Sequence, residues 1–217
     1  MSWFLPRAID LTERDTQLLR VLERAQRLGL VGRSVDLADQ VAHARAFMVT
    51  GPPADGFPGV DLGSGNGLPG LVLACDWESS RWWLSEASVS RCEFLRWAVS
   101  ALGLEGRVQI LEGPAERLGQ EPEYRGKADL VVARSFAQPG PTAECAAGFL
   151  RRGGRLVVSE PPAAERNRWP SESLSQLGFE LGDALSSPVK LQVLVRSGEL
   201  SEAFPRREGL PRRRPLF

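Results

Sequence analysis

The stretch Val60-Asp-Leu-Gly-Ser-Gly-Asn-Gly-Leu-Pro-Gly70 decides the fold of this chain. It overlaps a short apolar segment at 59–62 and leads into an apolar run at 68–75, which suit a buried strand and the start of a helix. Four glycines in the eight positions 63–70 allow the backbone to turn sharply and to approach a ligand closely. The sequence therefore predicts a ligand-binding turn between the first strand of an α/β sheet and its helix.

Two nucleotide-binding templates match this turn. The pattern Gly-x-Gly-x-x-Gly over 65–70 matches the dinucleotide fingerprint, and Asp-x-Gly-x-Gly-x-Gly over 61–67 matches the first motif of S-adenosylmethionine-dependent methyltransferases. Asp61 favours the second template, because a pyrophosphate gains nothing from a carboxylate, whereas a ligand with an ammonium and a sulfonium does. A glycine-rich turn without any ligand is the structural alternative, and the number of glycines argues against it.

Polar residues also stand where later strands are predicted to end. Glu86 closes the second strand, where a carboxylate can accept hydrogen bonds from both ribose hydroxyls of a nucleoside. Its structural alternative is an acid favoured by the dipole of the next helix. The turn 113–116 follows the third strand, and Arg134 emerges from the apolar fourth strand. Because open α/β sheets bind their ligands at the carboxyl ends of strands, these positions are predicted to be functional.

Strands and helices alternate along the chain from Phe57 onward. The predicted strands are 59–62, 81–85, 107–111, 128–133, 154–158, 179–185 and 189–196, of which the last two form a hairpin. We therefore expect a doubly wound, mostly parallel seven-stranded α/β sheet of Rossmann-like type with one antiparallel strand. Helices predicted at 12–29 and 36–49 place an N-terminal helical cap at 1–56, before a main domain at 57–200 and a basic tail at 201–217.

The composition excludes several other kinds of site and location. The 217 residues include three cysteines, whose spacing matches no zinc or redox motif, so no metal is predicted. His43 is the one histidine, so a serine–histidine–aspartate triad could be built on it alone. No apolar run approaches the roughly 18–20 residues of a membrane span, and residues 1–7 lack the features of a signal peptide. A cytoplasmic protein without a membrane segment is expected.

The 27 basic and 27 acidic residues balance over the whole chain but not along it. Residues 57–150 hold eight bases and twelve acids, whereas residues 151–217 hold twelve bases and eight acids. The planar guanidinium group is well shaped for contacts to nucleic-acid phosphates such as those of RNA, which is the favoured explanation for the tail, whereas a GC-rich genome explains the bulk arginine content. The candidates for these contacts in the tail are Arg206, Arg207, Arg212, Arg213 and Arg214, and those near the fifth strand are Arg151, Arg152 and Arg155.

Taken together, these segments resemble the ribosomal RNA small subunit methyltransferase G family. Residues 61–74 are similar to the family's first motif, including a Leu-Pro-Gly that most methyltransferases lack, and 86–95 are similar to its second motif. Ala133-Arg-Ser-Phe-Ala137 resembles the family's Arg-Ala-Phe/Val-Ala segment, and the proline- and arginine-rich end at 205–216 looks like its usual C-terminus. His43 falls where the family has a histidine before the glycine loop.

The resemblance implies a class I methyltransferase that transfers a methyl group from S-adenosylmethionine to N7 of a guanine in 16S ribosomal RNA, free or in the small ribosomal subunit. Guanine N7 carries a free lone pair at neutral pH, so the reaction needs no general base, and Arg134 and His43 are candidates for positioning the base. We expect the enzyme to act as a monomer. By motif and by resemblance, the predicted cofactor contacts are Asp61, Gly63, Gly65, Gly67, Leu68, Glu86, Ala115, Glu116 and Arg134.

The chain departs from the family's pattern at several places, including Ala46-Phe47 where the family has Asp-Ser after its histidine, and two departures lie in the turns after predicted strands. Pro114 stands where the family commonly has an arginine, and Glu160-Pro161 stands where it commonly has Lys-Gly, which reverses a charge at the predicted substrate edge. Two alternatives therefore stay open. The chain could be a methyltransferase of the same fold that acts on a small molecule or a protein, or a non-catalytic RNA-binding relative.

Overall fold

A seven-stranded sheet lies at the centre of the computed structural model, which describes residues 12–161 and 168–217. The strands run in the order β3-β2-β1-β4-β5-β7-β6, and β7 is antiparallel to both of its neighbours. The predicted mostly parallel sheet with one antiparallel strand is confirmed. Its strands are β1 (Pro58–Leu62), β2 (Arg81–Glu86), β3 (Val108–Glu112), β4 (Ala128–Ala133), β5 (Leu150–Ser159), β6 (Phe179–Leu185) and β7 (Leu191–Arg196).

Eight α-helices in the described ranges connect and flank these strands. They are α1 (Glu13–Arg27), α2 (Leu37–Arg45), α3 (Gly70–Asp76), α4 (Val89–Ala101), α5 (Ala115–Leu118), α6 (Pro139–Phe149), α7 (Ser171–Gln176) and α8 (Leu210–Arg213). The helix predicted at 36–49 is shorter, because the chain tightens into a 3₁₀ helix at Ala46–Thr50. The helix predicted from residue 68 begins at Gly70, where the carboxylate of Asp61 accepts the first free backbone N–H.

The two faces of the sheet are covered by different helices. On one face, α1 and α2 share a continuous apolar core with α3 and α4, in which Leu22, Phe47 and Trp82 are almost fully buried. On the other face, α5, α6 and α7 cover Val131 and Leu156. Full burial of one such aliphatic side chain contributes roughly 1.5–3 kcal/mol. Residues 1–11 of the predicted cap lie outside the described residues, and the division into cap, domain and tail stays a prediction.

The amino ends of β4 and β5 are held together by one buried carboxylate. Asp129 is 3% exposed at its side chain, forms ion pairs with Arg151 and Arg155, and accepts the backbone N–H of Ala54 at 2.8 Å. Two further bonds from Arg155 go to the carbonyl oxygens of residues 51 and 52, so this edge also fixes the chain before β1. Arg151 and Arg155 were predicted to bind RNA, but in the structure both pair with the carboxylate of Asp129.

The C-terminal residues cross the helices that cover the second face of the sheet. The backbone N–H and guanidinium of Arg206 donate to the completely buried carboxylate of Glu144 on α6 at 2.7–3.2 Å. Gln120 donates to the carbonyl oxygen of Pro205 at 2.7 Å. The predicted basic tail is thus attached along its length to the main fold.

Among the described helices, none is both long and apolar enough to cross a membrane.

Candidate functional site

Asp61 holds the glycine-rich turn in place through hydrogen bonds. This side chain is 1% exposed, its Oδ2 accepts the Gly70 N–H at 3.0 Å, and its backbone oxygen accepts the Ser64 hydroxyl at 2.9 Å. Burial raises the pKa of Asp61 to about 7, against the opposing effect of its hydrogen bonds. Asp61 does not line either cleft described below, so its position supports the turn and the start of α3.

The turn requires glycine at particular positions. Gly63, Gly65 and Gly67 have φ values of 72°, 55° and 90°, in the region that side chains other than glycine rarely adopt. A Cβ atom at Gly63 would lie 2.5 Å from Cδ2 of Phe136, so the aromatic ring lies directly against the turn. The approach of this turn to a ligand stays a prediction, because the described neighbour at Gly63 is the side chain of Phe136.

Glu86 lies at the carboxyl end of β2, facing this turn. Its Oε2 accepts the Gly65 N–H at 2.8 Å and its Oε1 accepts the Ser88 N–H at 2.9 Å, while Arg91 lies 3.9 Å away. Each carboxylate oxygen has two lone pairs, so both oxygens retain a position for a further donor. Glu86 can hold the turn and still accept hydrogen bonds from a pair of ribose hydroxyls.

A first cleft of about 220 Å³ lies between the ends of β1, β2, β3 and β4, and we refer to it as the turn cleft. It brings together three predicted cofactor contacts, Gly63, Glu86 and Ala115. Leu68 is buried beside the turn, and the carboxylate of Glu116 accepts the Gly209 N–H of the tail at 3.2 Å. The remaining lining residues are Ser85, Ala87, Arg91, Gly113, Ser135, Phe136 and Arg212.

A second cleft of about 370 Å³ lies at the ends of β4 and β5, and we refer to it as the arginine cleft. Arg134 and His43 both line it, although 91 positions of sequence separate them. Arg134 donates to the Gln40 side chain, while its Nη1 atom and the Nε2 atom of His43 are buried without a hydrogen-bond partner. Such orphaned nitrogens are costly, so they mark a place where a polar ligand would be stabilised.

Burial also sets the charge of these two side chains. Burial and then the charge of Arg134 lower the pKa of His43, so its imidazole is neutral at pH 7. Burial lowers the pKa of Arg134, and the charge of Asp61 partly opposes this effect. A guanidinium whose described hydrogen-bond partner is one amide oxygen keeps donors available for a substrate.

Glu160 lies at the rim of the arginine cleft, and its charge is paired there. Its Oε1 accepts the indole N–H of Trp169 at 2.7 Å, and its Oε2 forms an ion pair with Arg168. The charge reversal noted in the sequence is therefore balanced by an arginine eight residues later. Pro114, the other departure, precedes the first residue of α5.

Phe136 lines both clefts, and sequence reasoning did not single it out. It follows Ser135, whose φ of 58° lies in the left-handed region that non-glycine residues rarely adopt. Strained backbone of this kind concentrates at functional sites. No residue pattern within 133–137 predicts the contact between the Phe136 ring and Gly63, because the two residues meet only in the folded sheet.

The tail arginines are placed in different ways. Arg206 forms an ion pair with Glu144, and Arg212 lines the turn cleft. Arg207, Arg213 and Arg214 are exposed, and none of the ion pairs between described residues includes them. These three keep their guanidinium groups available for phosphates.

Other features of the described residues fall outside the two clefts. The three cysteines are buried and free, and no group of three His, Cys, Asp or Glu side chains could hold a metal ion. A cavity of about 610 Å³ lies at the opposite edge of the sheet, where Phe57, Arg81 and Arg107 contribute to its lining. None of the predicted cofactor contacts lines this larger cavity, so its size does not identify the active site.

Comparisons with known proteins show the family of this chain. Residues 46–168 match the sequence model of the family described as rRNA small subunit methyltransferase G. The chain is 36% identical over 166 residues to the protein of that name from Deinococcus deserti, covering 73% of this chain and 68% of the relative. It is 30% identical over 207 residues to the one from Pelotomaculum thermopropionicum, covering 90% and 86%.

Solved structures share the fold at low sequence identity. A putative O-methyltransferase from Klebsiella pneumoniae has a TM-score of 0.60 at 16% identity, covering 85% of this chain and 91% of that one. An O-methyltransferase from Bacillus cereus, solved in complex with SAH, has a TM-score of 0.59 at 17% identity, covering 86% and 93%. The predicted Rossmann-like methyltransferase fold is confirmed.

Proposed function

Because the chain belongs to the rRNA small subunit methyltransferase G family, we propose that it methylates N7 of a guanine in 16S ribosomal RNA, with S-adenosylmethionine as methyl donor. The observation that carries this proposal is the adjacency of two unlike clefts. One contains a carboxylate at a glycine turn, and the other contains buried nitrogens without partners.

The residues of the turn cleft fit the cofactor. Glu86 has lone pairs for two ribose hydroxyls, and the backbone of Gly63 lines the same cleft. Ala115 lines the side of the cleft at the end of β3, where an apolar adenine face can pack. When bound, S-adenosylmethionine supplies an electrophilic methyl group on a sulfonium.

The residues of the arginine cleft fit a guanine. Guanine presents O6 and N7 as acceptors, and Nη1 of Arg134 can donate to O6 while N7 stays free to react. His43 is neutral at pH 7, so it adds no positive charge beside a base that becomes cationic on methylation. The side chains orient the base and exclude water, and no general base is required.

The proposal has a direct test with a matched pair of variants. Glu86→Gln should weaken S-adenosylhomocysteine binding about 10- to 100-fold in calorimetry, because the amide loses the charged acceptors for ribose. Glu112→Gln is the control, since Glu112 ends the adjacent strand and pairs with Arg96 outside the cleft. If the wild-type protein binds NAD and not S-adenosylmethionine, the proposal is wrong.

The substrate requires a second measurement. Purified protein and tritiated S-adenosylmethionine should label small subunits from a strain that lacks the gene, and mass spectrometry should place the label on a guanine. Label in a protein or a small molecule would instead favour the alternative substrate classes. Cofactor binding without turnover on naked 16S RNA or on small subunits would favour a non-catalytic relative. A cytoplasmic monomer is the form of the enzyme that we propose.

A further inference from the structure

The C-terminal tail reaches the active-site edge of the sheet. Beyond its attachment at Glu144, it continues through α8 to Phe217, whose ring lies 6.3 Å from the ring of Trp169. The backbone oxygen of Phe217 would lie 2.6 Å from a Cβ atom at Gly140, the second residue of α6. The tail between these two attachments therefore has little freedom to leave the surface.

Arg212 lies between the two attachments and over the turn cleft. Its guanidinium carbon is 4.9 Å from the centroid of the Phe136 ring, and its Nη2 donates to the Phe136 carbonyl oxygen at 3.2 Å. Arg212 therefore contacts both the ring and the backbone of one residue. These two contacts restrict the Phe136 side chain more than either would alone.

Phe136 and its neighbour Ser135 line both the turn cleft and the arginine cleft, and the Phe136 ring forms the larger part of this shared wall. This ring lies against Gly63 on the turn side, and the same residue lines the cleft that contains Arg134. A methyl group transferred between the two clefts must pass beside this ring. The placement of the ring therefore affects both the fit of the cofactor and the approach of the substrate.

From these contacts we propose that Arg212 is a positioning residue for methyl transfer, which holds Phe136 in place as the wall of the cofactor site. This inference rests on the proposed function. It assigns to Arg212 a role that differs from the phosphate contact expected of the tail arginines. Arg213, the next residue, has no described contact with Phe136, so the two neighbouring arginines are assigned different tasks.

The proposal predicts a defect in cofactor binding that can be measured without RNA. Arg212→Ala should weaken S-adenosylhomocysteine binding about fivefold in calorimetry without RNA, because the ring loses its stacking partner. Arg213→Ala should leave that affinity unchanged. Arg212→Gln, which keeps a polar side chain that is shorter and uncharged, should behave like Arg212→Ala and serves if the alanine variant folds poorly.

A double-mutant cycle tests whether Arg212 acts through the ring. Phe136→Leu should also weaken binding, and adding Arg212→Ala to it should have little further effect, because the aromatic ring that Arg212 positions is already absent. Fully additive effects would overturn the proposal. So would an Arg212→Ala variant that binds the cofactor with unchanged or higher affinity, including one that loses only salt-dependent RNA binding.

The failure of this inference can be told apart from failure of the proposed function. If the wild-type protein binds no S-adenosylhomocysteine, the proposed function and this inference fall together. If the wild type binds it and Arg212→Ala binds it equally well, the inference alone is wrong. Under the proposal, steady-state assays of Arg212→Ala should give a higher KM for S-adenosylmethionine, whereas a rise in the KM for the small subunit alone would overturn it.

Discussion

The two edges of the sheet use arginines in opposite ways. At the amino edge, Arg151 and Arg155 share the buried carboxylate of Asp129. At the carboxyl edge, Arg134 is held by the amide of Gln40, and its Nη1 atom has no partner. The Nε atoms of the two amino-edge arginines also lack partners, but each of those guanidinium groups is paired with a carboxylate. The partner, and not the residue type, distinguishes a structural arginine from one available to a substrate.

The largest expected effect is at the amino edge. Asp129→Ala should lower the free energy of unfolding by about 3 kcal/mol in urea titrations, because it leaves two guanidinium groups without a carboxylate. Glu199→Ala is the matched control at the same edge, where an 86% exposed side chain pairs with Arg152. This control should change stability by less than about 0.5 kcal/mol.

The cofactor affinity of the Asp129→Ala variant tests whether the two edges of the sheet act independently. At a temperature where the variant is folded, it should bind S-adenosylhomocysteine as the wild type does, since Asp129 lies at the edge opposite the turn cleft. A loss of affinity in the folded variant would contradict the separation of the two edges.

The second effect is at the carboxyl edge and concerns activity. Arg134→Met keeps much of the apolar stem and should reduce methylation of the small subunit about 100-fold, because an oriented donor is lost. The same variant should be as stable as the wild type within about 0.5 kcal/mol, because a half-buried charge without a carboxylate contributes little to folding. A stable and fully active Arg134→Met variant would show that Arg134 contributes neither to folding nor to orienting the substrate.

A third effect concerns the carboxylate beneath the glycine turn and depends on pH. The pKa of Asp61 is about 7 in the folded protein, above its ordinary value of 3.8, so folding favours the protonated form. The stability that this provides is complete below pH 4 and is lost as the pH rises through 7. Asp61→Asn keeps an acceptor for the Gly70 N–H without the charge.

Urea unfolding at pH 5 and pH 8 measures this difference. Relative to wild type, Asp61→Asn should gain about 1–3 kcal/mol between the two pH values. Titration of His43 cancels in the comparison, because both proteins contain it. A difference that is independent of pH would mean that Asp61 is ionised in the folded protein throughout this range.

The smallest effect separates two arginines of the tail. Arg213→Ala should reduce the slope of log affinity for 16S RNA against log salt by about one, the contribution of a single phosphate contact. Arg206→Ala should leave that slope unchanged and lower stability instead, because Glu144 is then buried without its partner. Equal salt slopes for wild type and Arg213→Ala would remove this residue from the RNA surface.

The parts of the molecule that sequence predicts are those with local signals. The strands, the turn at 63–70 and Glu86 follow from apolar runs, glycines and their spacing along the chain. The placement of Arg134 at the end of β4 is predicted in the same way, because parallel strands end at a common edge. His43 joins this edge through the packing of α2, and the family resemblance was the only signal for it.

The parts that sequence does not predict depend on contacts between distant residues. Asp129 neutralises Arg151 and Arg155 over 22 and 26 positions, so these arginines looked like free bases. Arg212 meets Phe136 over 76 positions, and neither residue carries a signal of the other. Charge counts along the chain show where arginines are concentrated, but only the fold shows which carboxylates they meet.

The contact between the tail and α6 has a consequence for sequence variation among relatives. A Cβ atom at Gly148 would lie 2.7 Å from Cγ of Pro205 and 2.8 Å from the backbone oxygen of Gly119. These three residues are far apart in sequence but share a single small volume. A larger residue at any one of them must be accommodated by a change at another. We therefore expect the three positions to covary, and their joint state to report whether a relative carries its tail across the active-site edge.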